Sequence, residues 1–73
     1  MSEVVDSGEL LRRIQRARAC AREEEREWLA RSESLRQGDP AEARDAAVRS
    51  LAYEAVVRVL DEVLTPGRHE PES

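Results

Sequence analysis

The chain has 73 residues, a formal net charge of −4, and charged side chains at 38% of its positions. A sequence this short forms one domain at most, and a single core of that size rarely supplies more than roughly 3–5 kcal/mol of stability without a staple or a second chain. Its one cysteine excludes an intramolecular disulfide, and no apolar run approaches the roughly 18 residues of a membrane span.

The N-terminal residues, MSEVVDSGE, are acidic and lack the apolar segment of a secretory signal. We therefore expect a cytoplasmic protein that has no membrane partner. The pattern divides the chain into a polar N-terminal lead (1–6), a single helical-hairpin domain (7–64) and a disordered polar tail (65–73).

Two helices with a very short connection are predicted, over residues 7–37 and 40–64. Gly38 stands where a helix C-cap favours positive φ. Asp39 is a good N-cap for the second helix, and Pro40 suits its first position because a proline lacks only an N–H that would be unpaired there. A connection this short makes the helices antiparallel neighbours, so the predicted fold is an all-α antiparallel two-helix hairpin.

Small and apolar side chains recur along helix one at helical spacing and define a narrow strip facing helix two. The large members of this strip are Leu10, Ile14, Trp28 and Leu35. Folding about the turn brings Trp28 towards Val48 of helix two. We predict that Ile14, Trp28, Leu35 and Val48 anchor the hairpin core.

Helix two has more apolar side chains than one partner helix can cover. A contiguous apolar patch left exposed usually marks an interface. We expect a homodimer in which two hairpins form a four-helix bundle, and the alternative is that the patch binds a helix of another protein. The predicted self-association or partner interface comprises Leu51, Val56, Val59, Leu60, Val63 and Leu64.

No combination of residues in the sequence points to catalysis, a cofactor or a metal. The histidine, His69, lies in the tail, and Cys20 has no histidine or second cysteine placed to act with it. The acidic run REEERE (22–27) lacks the histidines that di-metal sites in helical bundles use. We therefore expect a non-enzymatic protein that binds no cofactor and no metal.

The segment LLRRIQRARACAR (10–22) has five basic side chains and no acidic one. In a dimer it would present a basic face to RNA or DNA phosphates, and this outline resembles the plasmid copy-number hairpin dimers that bind paired RNA loops. A dimeric nucleic-acid-binding hairpin is thus the alternative function, although the net acidity and the lack of exposed aromatic residues favour a protein partner. The candidate basic face comprises Arg12, Arg13, Arg16, Arg18 and Arg22.

The order "LLRRIQRAR", an acidic middle, "RQGD" and "AAVRSLAYEAVVRVLDEVL" is similar to small helical proteins of actinobacteriophages and high-GC actinobacterial mobile elements. Every basic side chain other than the histidine is arginine, and phenylalanine and asparagine are absent, which is typical of GC-rich coding. The resemblance implies a regulatory accessory module that binds a host or phage protein. It implies no site residues.

Overall fold

The structure is a computed structural model, and it describes residues 6–67. These residues form two helices, α1 (Ser7–Leu35) and α2 (Pro40–Leu64), which pack against each other along their lengths. The predicted all-helical hairpin is confirmed. The predictions for the polar lead and most of the tail fall on residues 1–5 and 68–73, outside the described residues.

α1 begins and ends through local hydrogen bonds. The Asp6 side chain caps its first turn by accepting a 2.7 Å hydrogen bond from the backbone N–H of Glu9. At the other end the Arg36 N–H donates to the carbonyl of Glu33, three residues back, which tightens the last turn. α1 therefore ends at Leu35, slightly before the predicted end at residue 37.

The connection between the helices differs from the prediction at Gly38. Among the described residues only Gly67 has a positive φ, so Gly38 is not a left-handed cap. The Asp39 N–H donates to the carbonyl of Leu35 over 2.8 Å, so the chain leaves α1 in a right-handed turn that needs no left-handed residue. Asp39 then caps α2 by accepting a 3.2 Å hydrogen bond from the Glu42 N–H.

The surface on which the helices meet, here called the seam, follows alternating spacings of three and four residues on both helices. This is the heptad spacing of a two-stranded coiled coil. Every seam position is buried or partly buried. The seam positions are Ile14, Arg18, Ala21, Glu25, Trp28, Ser32 and Leu35 of α1, and Ala43, Ala46, Ser50, Tyr53, Val57, Leu60 and Leu64 of α2.

Most of the fully buried seam residues are small. The buried apolar residues are three alanines and Val57, and the buried polar residues are Ser32 and Ser50. The Ser50 hydroxyl is satisfied because it donates a 2.9 Å hydrogen bond to the carbonyl of Ala47 in its own helix. Small side chains let the helices approach closely but remove little apolar area from water, so the seam alone contributes modest hydrophobic stabilisation.

Three of the sequence predictions for α2 concern residues that the structure places elsewhere. Val48, predicted as a core anchor, is 63% exposed and lies outside the seam. Leu60 and Leu64, predicted as interface residues, are partly buried seam residues. The reason is the fit of the two helix surfaces. The large Trp28 and Leu35 of α1 lie on the seam together with the small seam residues of α2, so the face of α2 that contains Val48 is on the far side.

The Asp39 cap provides a test of the helical connection. We expect Asp39→Ala to lower the free energy of unfolding by about 1 kcal/mol, because the N–H of Glu42 loses its acceptor, and Asp39→Asn to keep most of the stability. Urea unfolding followed by far-UV circular dichroism measures both. Equal stability of the alanine variant and the wild type would contradict the cap.

Gly38→Ala tests the conformation of the turn. An added Cβ at Gly38 meets nothing within 4 Å, and the residue does not have a positive φ. We therefore expect stabilisation by about 0.4–1 kcal/mol through the smaller entropy of the unfolded chain. Gly67→Ala is the control, since Gly67 has a φ of 86° and should gain no such stabilisation. A destabilised Gly38→Ala variant would mean a left-handed turn in solution.

Candidate association surface

The side of α2 that faces away from α1 carries an apolar strip, here called the outer face. It contains five large side chains that remain about half exposed or more, at 63% for Val48, 61% for Leu51, 44% for Val56, 62% for Val59 and 52% for Val63. Two exposed alanines complete it. The outer face therefore comprises Val48, Leu51, Ala52, Ala55, Val56, Val59 and Val63.

Helix geometry places this strip opposite the seam. At about 100° per residue, Val48, Ala52, Val59 and Val63 lie within roughly 60° of one another and on the far side of α2 from Val57, which is buried in the seam. From Val48 to Val63 the strip extends about 23 Å at 1.5 Å per residue. It is long enough to accept several turns of another helix.

Charged side chains of α2 border the outer face and leave its centre apolar. Arg49 Nε lies 3.7 Å from Asp45 Oδ2, and Arg58 Nη2 lies 3.6 Å from Glu54 Oε2, so both arginines are paired within α2. Exposed pairs of this type add little stability. On the outer side of α2, no charged side chain lies among the apolar residues from Val48 to Val59.

The far side of α1 has the opposite character. The exposed residues there include Arg12, Arg16, Glu23 and Glu27. The exposed leucines of α1, such as Leu29, lie towards the edge of the seam; Leu29 lines a shallow depression between the helices. The hairpin therefore has a charged outer surface on α1 and an apolar outer face on α2.

Three of the five arginines of the predicted basic face are paired with carboxylates. Arg12 and Arg13 both pair with the carboxylate of Glu9, at 3.1 Å and 2.9 Å, and Arg18 pairs with Asp61 of α2. Helical geometry also spreads the five predicted arginines over roughly 220° of the α1 circumference, so they form no single cationic face.

The two remaining members of the predicted basic face are Arg16 and Arg22. Neither forms an ion pair with any residue between 6 and 67. They lie six residues apart, which places them about 120° from each other around α1. Arg22 lines the same depression as Leu29, where two glutamates are also present.

Arg18 and Asp61 join the helices near the open end of the hairpin. Arg18 Nε donates to Asp61 Oδ1 and Arg18 Nη2 donates to Asp61 Oδ2, so the contact is bidentate. The hydrogen bond from Asp61 raises the pKa of the Arg18 guanidinium above its usual value, against the opposing effect of partial burial. This is the one ion pair between the helices within the described residues.

Trp28 joins the helices near the turn. The guanidinium carbons of Arg31 and Arg49 each lie 4.9 Å from the centroid of its ring. Arg31 belongs to α1 and Arg49 to α2, so one cation–π contact crosses between the helices. Together with the Arg18–Asp61 pair, this contact ties the hairpin at two well-separated points.

The described residues hold no evident reactive cluster. Between residues 6 and 67 there is no group of three or more histidine, cysteine, aspartate or glutamate side chains placed to hold a metal ion. Cys20 is exposed and free. Neither α1 nor α2 combines the length and apolar character needed to span a membrane.

No significant match to this chain is found among family models, curated proteins or solved structures. The outer face of α2 holds five of the eight exposed large apolar side chains of the described residues, and it is the candidate association surface.

A double-mutant cycle tests whether the Arg18–Asp61 pair sets the register. We expect Arg18→Gln and Asp61→Asn to show a larger coupling energy than Arg49→Gln and Asp45→Asn, because the first pair is bidentate, less exposed and joins two helices. Urea unfolding of the four single and two double variants measures both couplings. A smaller coupling for the interhelical pair would contradict the assignment.

Proposed function

We propose that this chain is a non-enzymatic interaction module that binds a protein helix through the outer face of α2. The observation that carries the proposal is the exposure of five large aliphatic side chains of α2, from Val48 to Val63, on the side opposite the hairpin seam. An apolar strip of this kind is covered in the functional state of most soluble proteins that have one.

The weakness of the seam supports the same conclusion. Its fully buried apolar residues are Ala21, Ala43, Ala46 and Val57, whereas the larger aliphatic residues of α2 lie mostly outside it. Burying apolar surface stabilises a fold by about 25 cal/mol per Å². A helix docked on the outer face therefore adds core that the hairpin lacks, and binding stabilises the folded hairpin by mass action.

Two occupants of the outer face are consistent with helix-on-helix packing. A second copy would make a homodimer of four helices in which the two α2 helices are in contact, rather than the bundle around one core that the sequence predicts. A helix of a host or phage protein would make a regulatory accessory complex, the role implied by the sequence resemblance described above. The structure gives the nucleic-acid alternative no comparable support, because Arg12, Arg13 and Arg18 are already paired with carboxylates.

Val59→Asp tests the proposed function. A carboxylate in the middle of the outer face must be desolvated on association, so we expect binding through this face to weaken by at least tenfold. Val59 is 62% exposed and lies outside the seam, so the hairpin should keep its helix content and its Trp28 fluorescence. Analytical ultracentrifugation measures association, and the fluorescence monitors the seam independently.

Ala30→Asp is the matched control, because Ala30 is an exposed small residue on the far side of α1. It introduces the same charge and should leave association unchanged. Self-association of Val59→Asp as tight as that of a wild type that self-associates, or equal weakening by both variants, would count against the outer face of α2 as the binding surface.

A further inference from the structure

We infer that the occupant of the outer face is a second copy of this chain, and that the two α2 helices pack antiparallel across a two-fold axis. This inference rests on the proposed function, since it uses the same face, and it adds the identity and the orientation of the partner. Two observations carry it: the internal symmetry of the apolar strip and the placement of charges at its two ends.

The part of the apolar strip from Val48 to Val59 is symmetric about its middle. Val48, Ala52, Ala55 and Val59 follow one another at spacings of four, three and four residues, the pattern that one helix presents to another in a coiled coil. A two-fold axis passing between residues 53 and 54 places Val48 opposite Val59 of the partner subunit. The same axis places Ala52 opposite Ala55 of the partner subunit.

The residues at the centre of this arrangement are the smallest on the outer face. Ala52 and Ala55 allow two α2 helices to approach closely at the axis, while Val48 and Val59 supply larger side chains at either end of the contact. An isologous interface needs a self-complementary surface of this kind, in which each residue meets its symmetry-related counterpart.

The charges at the ends select the antiparallel orientation. Arg44 and Glu62 lie 18 residues apart, which is five turns, so they project from the same side of α2, Arg44 just before Val48 and Glu62 just after Val59. An antiparallel pair places each Arg44 beside Glu62 of the partner subunit. A parallel pair places arginine beside arginine and glutamate beside glutamate, which is unfavourable.

Both end charges are available for such contacts. Arg44 is exposed and forms no ion pair with the described residues. Glu62 is exposed, and its Oε2 accepts a 3.0 Å hydrogen bond from the Gly67 N–H without a cationic partner among those residues. The α1 helices, with their charged far sides, remain in solvent on the outside of this dimer.

Disulfide crosslinking measures the orientation directly. On a Cys20→Ser background, Val48→Cys and Val59→Cys are prepared separately, one of them isotopically labelled, then mixed and oxidised. Residues 48 of the two copies are about 16 Å apart in the antiparallel register, too far for a disulfide, whereas residues 48 and 59 lie opposite. We expect the mixed disulfide to dominate the mass spectrum and each variant alone to crosslink poorly.

Charge exchange provides a second measurement that leaves the apolar strip intact. We expect Arg44→Glu and Glu62→Arg each to weaken dimerisation by about tenfold at low salt, since each creates two like-charge contacts, and the double variant to restore it. In a parallel dimer the single exchanges change one like-charge contact into another and have little effect. High salt should reduce the differences.

The outcomes separate this inference from the proposed function. A dimer with predominantly like-to-like disulfides, or with no disulfide at either position, overturns the antiparallel pairing but leaves association through α2 open to the Val59→Asp test. A hairpin that stays monomeric at high micromolar concentration overturns the second copy as occupant. In that case the outer face receives a helix of a different protein, as the proposed function alone allows.

Discussion

Close approach of two helices through small side chains is the constraint on which the rest of this structure depends. Ala21 of α1 and Ala43, Ala46 and Ser50 of α2 are nearly fully buried, and the larger Trp28 and Leu35 sit beside them in the seam. Packing of this kind brings the backbones together but removes little apolar area from water. Five large aliphatic side chains of α2 consequently remain on its other side, where no other residue between 6 and 67 covers them.

Polar contacts then fix the register of the two helices along their common axis. The seam includes Arg18, and the bidentate pair of this arginine with Asp61 holds the open end of the hairpin. Arg49 against the ring of Trp28 holds the end near the turn. The pair with Asp61 also engages Arg18, one of the arginines that the sequence predicts to face phosphates.

The two outer surfaces of the hairpin therefore differ in chemical character. The charged far side of α1 presents no continuous cationic surface, and the far side of α2 is an apolar strip about 23 Å long. In the proposed antiparallel dimer, the apolar strip that α2 exposes in the isolated hairpin is buried against the partner subunit. Helix α2 would then carry two contact surfaces, one for α1 and one for the partner subunit.

The sequence by itself determined the two helices, their antiparallel order and most of their boundaries, because caps such as Asp6 and Asp39 and a four-residue connection act locally. Only the tertiary structure decided which apolar line of α2 meets α1. The lines through Val48 and through Val57 lie about 180° apart and have similar helical periodicity, so the choice depends on the fit of small against large side chains across the seam. The right-handed turn at Gly38 and the contact of Arg49 with Trp28 likewise follow from the distance and register that this packing imposes.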